Sequence, residues 1–284
     1  MSRLLKTLIA SLICLGGVGS ASGQDDDVAA TAEAHRHDEP VATPAAMTSP
    51  RVKVVGDDVV YGSIDGRELQ GYLVRRSDAD EDTPGVIVIH EWWGLNDNIR
   101  RAADRLAGEG YVALAVDLYD GAAATVPKEA MQLMSKLTEN QARADENLRR
   151  AYAYLDEEIG APRIGSIGWC LGGRWSLRTA ILLPDQLDAA VIYYGTVVTD
   201  EAQLSPLTMP VLGNFAEDDP IIPLETVDAF EAAMQSLGKD VDIKVYTGAK
   251  HAFSNPSGLA YDPVAAADAW ERTTAFLRKN LVVN

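Results

Sequence analysis

Five short runs of apolar residues, each bounded by turn-forming residues, constrain this chain more than any other feature. They are GVIVIH at residues 85–90, VALAV at 112–116, IGSI at 164–167, AAVIYY at 189–194 and VLGNF at 211–215. Short continuous runs suit strands buried on both faces, as in parallel sheets. An alternating segment at 241–246 adds a last strand. Alternating stretches at 52–61 and 69–74 flank Asp65-Gly66, a hairpin signal. Helical periodicity predicts helices at 99–109, 171–183, 224–237 and 263–279, and two helices within 128–159. Strand–helix alternation implies right-handed crossovers and an α/β architecture, a doubly wound, mostly parallel sheet with helices on both faces. In such a sheet catalytic groups sit on loops at the carboxyl ends of strands.

The region before residue 51 has a different texture. Residues 1–23 read as a secretory signal: Arg3 and Lys6 form a basic start, residues 8–18 are mostly apolar, and Gly19-Ser20-Ala21-Ser22-Gly23 offers a cut after Ala21 or Gly23. Leu12-Ile13 lacks the small residue that lipoprotein cleavage wants ahead of Cys14. The expected destination is the periplasm or the exterior. Residues 24–50 hold an Asp25-Asp26-Asp27 run, alanines and prolines, with almost no large apolar residues. Such a segment buries no core and reads as a disordered spacer in which His35 and His37 are solvated. One α/β domain is expected over residues 51–284.

The formal net charge of −17 argues against nucleic acid and anionic membrane as partners, since both are polyanions. Two cysteines exclude a disulfide scaffold and a multi-cysteine zinc site, and four histidines leave little for a metal centre. No cofactor or metal is expected, no membrane contact is expected once the signal is gone, and a monomer acting on a small molecule is expected.

Three strand ends carry chemistry. After Ile167 comes Gly168-Trp169-Cys170-Leu171-Gly172-Gly173, a cysteine version of the G-x-S-x-G turn that leads into a helix. Such a turn strains the nucleophile's backbone, its small neighbours let other backbone pass close, and the helix start favours thiolate over thiol. Cys170 is the only cysteine left after signal cleavage. After Phe215 comes Ala216-Glu217-Asp218-Asp219-Pro220-Ile221-Ile222-Pro223. An orienting carboxylate belongs at this position, and the spacing to the Pro-Ile-Ile-Pro segment favours Asp219 over Asp218. After Tyr246, His251 precedes the last helix, where the base falls in the order nucleophile, acid, base; His90 is its rival.

The segment His90-Glu91-Trp92-Trp93-Gly94 follows the 85–90 run. Its backbone amides can complete an oxyanion hole with the amide after the nucleophile, which assigns the hole to Trp92 and Leu171. Glu91 then lies near the thiol; the competing reading is a rim salt bridge to Arg100 or Arg174. Trp93, Tyr119, Trp169, Tyr194 and Asn255 are candidate substrate-binding residues, and the aromatic ones read equally well as core.

Together these pieces resemble the dienelactone hydrolase family of α/β-hydrolases. The matching segments are HEWWGLND at 90–97, DLY at 117–119, GWCLGG at 168–173, YYG at 193–195, EDDPIIP at 217–223 and HAFSNP at 251–256. The resemblance implies a Cys170-His251-Asp219 triad acting on small esters or lactones through a thioester. It also implies that Glu91 contacts the resting thiol and helps generate the thiolate when substrate binds. In the enzyme that gives the family its name, two arginines hold the substrate carboxylate. Asp120 and Asn255 stand at those positions here. Two further readings compete: a non-catalytic binding or redox-sensing thiol domain, and a peptidase or acyltransferase on the same scaffold.

Overall fold

The structure is a computed structural model that describes residues 48–282 together with Glu33 and Pro40. The expected signal at 1–23, Cys14, His35, His37 and nearly all of the expected spacer lie outside the described residues. The domain opens with strands β1 (Val54–Ile64) and β2 (Arg67–Arg76), joined through Asp65 and Gly66. Both turn residues have positive φ, 51° and 75°, the backbone twist that a two-residue hairpin loop needs.

Then follow β3 (Gly85–Ile89), α1 (Asp97–Gly108), β4 (Val112–Val116), α2 (Pro127–Glu139), α3 (Gln141–Ala153) and β5 (Ile164–Trp169). The second half runs α4 (Leu171–Leu182), β6 (Ala189–Tyr193), α5 (Glu201–Leu204), β7 (Val211–Asp218), α6 (Leu224–Ser236), β8 (Val241–Lys250) and α7 (Pro263–Leu281). Helix α1 begins earlier than its apolar pattern because Asn96 caps it, its side chain accepting from the Ile99 amide. The helical stretch at 128–159 divides at Asn140, whose φ of −113° and ψ of 43° leave the helical region. Strands β7 and β8 run past the apolar pattern because their last residues are largely exposed and polar.

All eight strands form one sheet, ordered β1-β2-β4-β3-β5-β6-β7-β8. The β1–β2 and β2–β4 pairs are antiparallel and every later pair is parallel. Alternate residues of each strand face opposite layers, as the two-residue period requires. Ile87 and Ile89 join one buried cluster with Met134, Leu148 and Phe230 from α2, α3 and α6. Val86 and Val88 join another with Leu106, Ala269 and Leu277 from α1 and α7. Each large side chain removed from water contributes about 1.5–3 kcal/mol, so the two layers together hold the sheet.

The chain leaves β3 for β4 on one side and returns to β5 on the other. The order therefore reverses between β3 and β5, and the loops beyond their carboxyl ends open a crevice. His90 and Cys170 directly follow those two ends. Among the described residues no helix is long and apolar enough to cross a membrane.

Candidate active site

The turn after β5 is held by interlocking glycines. A Cβ on Gly168 would lie 2.1 Å from the Gly172 carbonyl oxygen, and one on Gly172 would lie 2.2 Å from that of Ile89. No side chain fits either gap, so the turn packs directly on the end of β3. Cys170 takes φ 54° and ψ −117°, a conformation that costs a non-glycine residue about 1–3 kcal/mol. Backbone bonds hold it there: Cys170 N–H donates to Tyr193 O at 3.0 Å, and Gly173 N–H donates to Cys170 O at 3.0 Å. Leu171 is the first residue of α4, so its amide is one of the four with no acceptor inside the helix.

His251 follows β8 and is buried. Its Nδ1–H donates to Asp219 Oδ2 at 2.7 Å, and the ring also hydrogen-bonds the Cys170 side chain. The second carboxylate oxygen of Asp219 accepts from the Ile221 and Ile222 amides at 2.8 and 3.0 Å. This turn orients the acid, and the spacing to the Pro-Ile-Ile-Pro segment reflects it. Asp218 is exposed at the end of β7, in register with Lys250. Burial opposes charge on the His251 ring. The negative charge of Cys170 and the Asp219 bond outweigh it and push the pKa up to about 10. A thiolate at Cys170 and an imidazolium at His251 stabilise each other.

Glu91 is buried, and Asn255 Nδ2 donates to its Oε2 at 2.8 Å. The Arg100 alternative does not form: that guanidinium bonds Asp58 at 2.6 Å. Beside Glu91 a cleft of about 500 Å³ is lined by Trp169, Tyr194, Ser254 and Asn255, by Asn98, Arg101 and Arg105 of α1, and by Trp270 of α7. Burial, then the charges of Glu91 and Cys170, hold the Tyr194 phenol well above its ordinary pKa, which places that phenol close to both. Its ring meets His251 edge-on at 5.2 Å.

Trp93 takes the second of the two readings the sequence left open: it is 1% exposed, meets Trp92 at a tilt of 56° and packs into the core. Tyr119 is outside the cleft lining and borders a separate cavity with Asp120 and Arg143. Its hydroxyl donates to Trp92 O at 3.1 Å, and burial first, then Cys170, keeps it protonated. Asp117 accounts for the DLY segment in structural terms: its carboxylate accepts from the Tyr119 amide at 2.7 Å and from the Gly121 amide. Asp120 pairs with Arg143 at 2.7 Å, which offsets its charge.

Sequence reasoning missed the contribution of α1. Asn98, Ala102 and Arg105 recur at helical spacing on one stripe that faces the cleft. A polar side chain recurring on an otherwise core-facing helix was the available signal. Among the described residues no group of three or more His, Cys, Asp and Glu side chains is placed to hold a metal ion.

A sheet with this order, with a glycine-held cysteine turn between β5 and its helix and with Asp219 and His251 just beyond β7 and β8, has the α/β-hydrolase fold. The dienelactone hydrolase family profile matches residues 69–281. A protein named usf from Aquifex pyrophilus is 37% identical over 205 residues, covering 70% of this chain and 89% of its own. A protein of Saccharolobus solfataricus with the provisional name carboxymethylenebutenolidase is 34% identical over 261 residues, covering 78% and 98%. The crystal structure of a provisionally named dienelactone hydrolase from Klebsiella pneumoniae superposes with a TM-score of 0.72 at 29% identity, covering 80% of this chain and 99% of that one. The chain belongs to the dienelactone hydrolase family and is an ester or lactone hydrolase of that type.

Proposed function

We propose that the protein hydrolyses small esters or lactones through a thioester on Cys170, with His251 as the proton carrier and Asp219 as its orienting acid. One observation carries the reading: a buried imidazole bonded at 2.7 Å to Asp219 also hydrogen-bonds a cysteine held in a left-handed turn at a helix start.

The thiolate of Cys170 attacks the substrate carbonyl carbon and forms a C–S bond. The carbonyl electron pair moves onto oxygen, and the Trp92 and Leu171 amides receive that oxyanion. On collapse the C–O bond to the leaving group breaks, and the His251 imidazolium protonates the departing oxygen. The thioester removes the thiolate charge, the largest influence that raises the His251 pKa, so the ring becomes a better base for the second half. Water then attacks, His251 takes its proton, and the C–S bond breaks to give the acid and regenerate the thiolate.

No cation stands at either position of the family's two substrate-binding arginines: Asp120 is a carboxylate that also engages the neighbouring Arg143, and Asn255 is a neutral amide that donates to Glu91. The proposal therefore favours neutral esters and lactones over carboxylated dienelactones. The basic and apolar pattern at residues 1–23 supports export of the enzyme. A screen of p-nitrophenyl esters and lactones with wild type and Cys170→Ala tests the reading. Turnover confined to wild type is expected; equal turnover by both proteins would overturn it.

A further inference from the structure

We propose that His90 is a positioning residue that aims the Trp92 amide into the oxyanion hole; this rests on the functional reading above. His90 is fully buried at the end of β3, and both of its ring nitrogens are engaged. The Leu118 amide, two residues beyond β4, points at Nε2 from 3.1 Å. A backbone N–H can only donate, so Nε2 is the bare nitrogen and the ring proton sits on Nδ1. Nδ1–H then donates to the Glu91 carbonyl at 2.6 Å. Burial keeps the ring neutral by lowering its pKa, which preserves this tautomer.

The Glu91 carbonyl and the Trp92 N–H belong to one planar trans peptide, since no cis peptide bond is present among the described residues. In such a unit the two point in opposite directions. Fixing the oxygen on His90 therefore fixes the opposite heading of the Trp92 amide. The neighbouring peptides are tied as well: Gly94 N–H also reaches Glu91 O at 3.2 Å, and Ala124 N–H donates to Trp93 O at 2.8 Å. The Tyr119 hydroxyl holds Trp92 O at 3.1 Å. Three consecutive carbonyls of the loop are thus occupied, and His90 supplies a side-chain bond to the peptide that carries the Trp92 N–H itself. The nucleophile turn leans on the same segment, with the Cβ position of Gly172 only 2.7 Å from His90 O.

Two variants separate the two ring bonds. Asparagine places an amide where Nδ1 stood and keeps a donor for Glu91 O. Glutamine places its amide near Nε2, keeps an acceptor for the Leu118 amide and loses the bond to Glu91. The expected result for His90→Gln is a kcat lower by about 100-fold, the usual effect of losing one oxyanion donor, with KM little changed. His90→Asn is expected to retain kcat within about fivefold of wild type. Alkylation of Cys170 by iodoacetamide develops no oxyanion and is expected to match wild type in both variants. Wild-type kcat in a folded glutamine variant would overturn the proposal. So would equal losses in both variants with alkylation slowed in step, which would mark a general structural role. Should the glutamine variant not fold, the asparagine variant decides alone: a 100-fold loss with unchanged alkylation would show that the donor at Nδ1 is not what matters. Equal turnover by Cys170→Ala and wild type would instead sink the underlying functional reading, so the two failures are distinguishable.

Discussion

The ends of β3 and β8 each present a buried histidine, and their surroundings drive them in opposite directions. His90 bonds only backbone, the Glu91 carbonyl and the Leu118 amide, and burial lowers its pKa. His251 is also buried, yet Cys170 and Asp219 raise its pKa to about 10. Burial alone therefore does not decide a ring's charge. At His90 desolvation outweighs the raising influence of the Asp117 carboxylate and yields a fixed scaffold element. A thiolate and a carboxylate overrule desolvation and yield a proton carrier. The cysteine turn after β5, whose Cys170 bonds His251, packs on the β3 end through Gly172.

The largest expected effects fall on the partners of His251. Cys170→Ala should lower kcat by at least about 1,000-fold, as loss of a nucleophile does elsewhere; steady-state ester hydrolysis checks this. Asp219→Asn should cost about 1,000-fold because it leaves the imidazole in the wrong tautomer. Asp218→Asn, at an exposed strand end, should stay within about twofold. The reverse ranking would move the acid by one position and dissolve the contrast between the histidines. Gly172→Ala should destabilise the fold by about 3 kcal/mol, since the new Cβ has no room beside a backbone oxygen. A denaturant titration reads that loss.

Smaller effects sharpen the comparison through pH. In an NMR titration His251 should stay protonated up to about pH 10, and in Cys170→Ala its pKa should fall, because the largest raising influence is gone. His90 should remain neutral below its ordinary value of 6.5. The sign for stability follows. Below that value the unfolded ring binds a proton that the folded ring refuses, so this contribution to stability is present above it and is lost as pH falls. The acid limb of a melting-temperature profile should therefore be shallower in His90→Gln than in wild type.

Much of the fold was legible because the central strands are buried on both faces. Burial of that kind writes itself as unbroken apolar runs, and β3, β4, β5 and β6 match theirs closely. The pattern stopped short at β7 and β8 because hydrogen bonding continues there after burial ends. Strand order was not legible, since pairing of β3 with β5 joins segments far apart in sequence. Of the candidate site, Cys170 stood out through its flanking glycines, and the spacing that preferred Asp219 corresponds to two local backbone bonds. The tryptophans stayed ambiguous, because a loop tryptophan after a strand reads equally as pocket wall or core; Trp93 turns inward against Trp92. His90 read only as a rival base because its Nε2 partner lies 28 residues away.

The central claim is that Cys170 is held as a thiolate by a protonated His251. The rate of Cys170 alkylation by iodoacetamide as a function of pH tests it most directly. A free thiol reacts in proportion to its ionisation, with a midpoint near about 8.5. The account predicts a reactive thiol well below that pH, with the low-pH reactivity reduced in Asp219→Asn. A single titration near the ordinary thiol value, unchanged by that substitution, would contradict it.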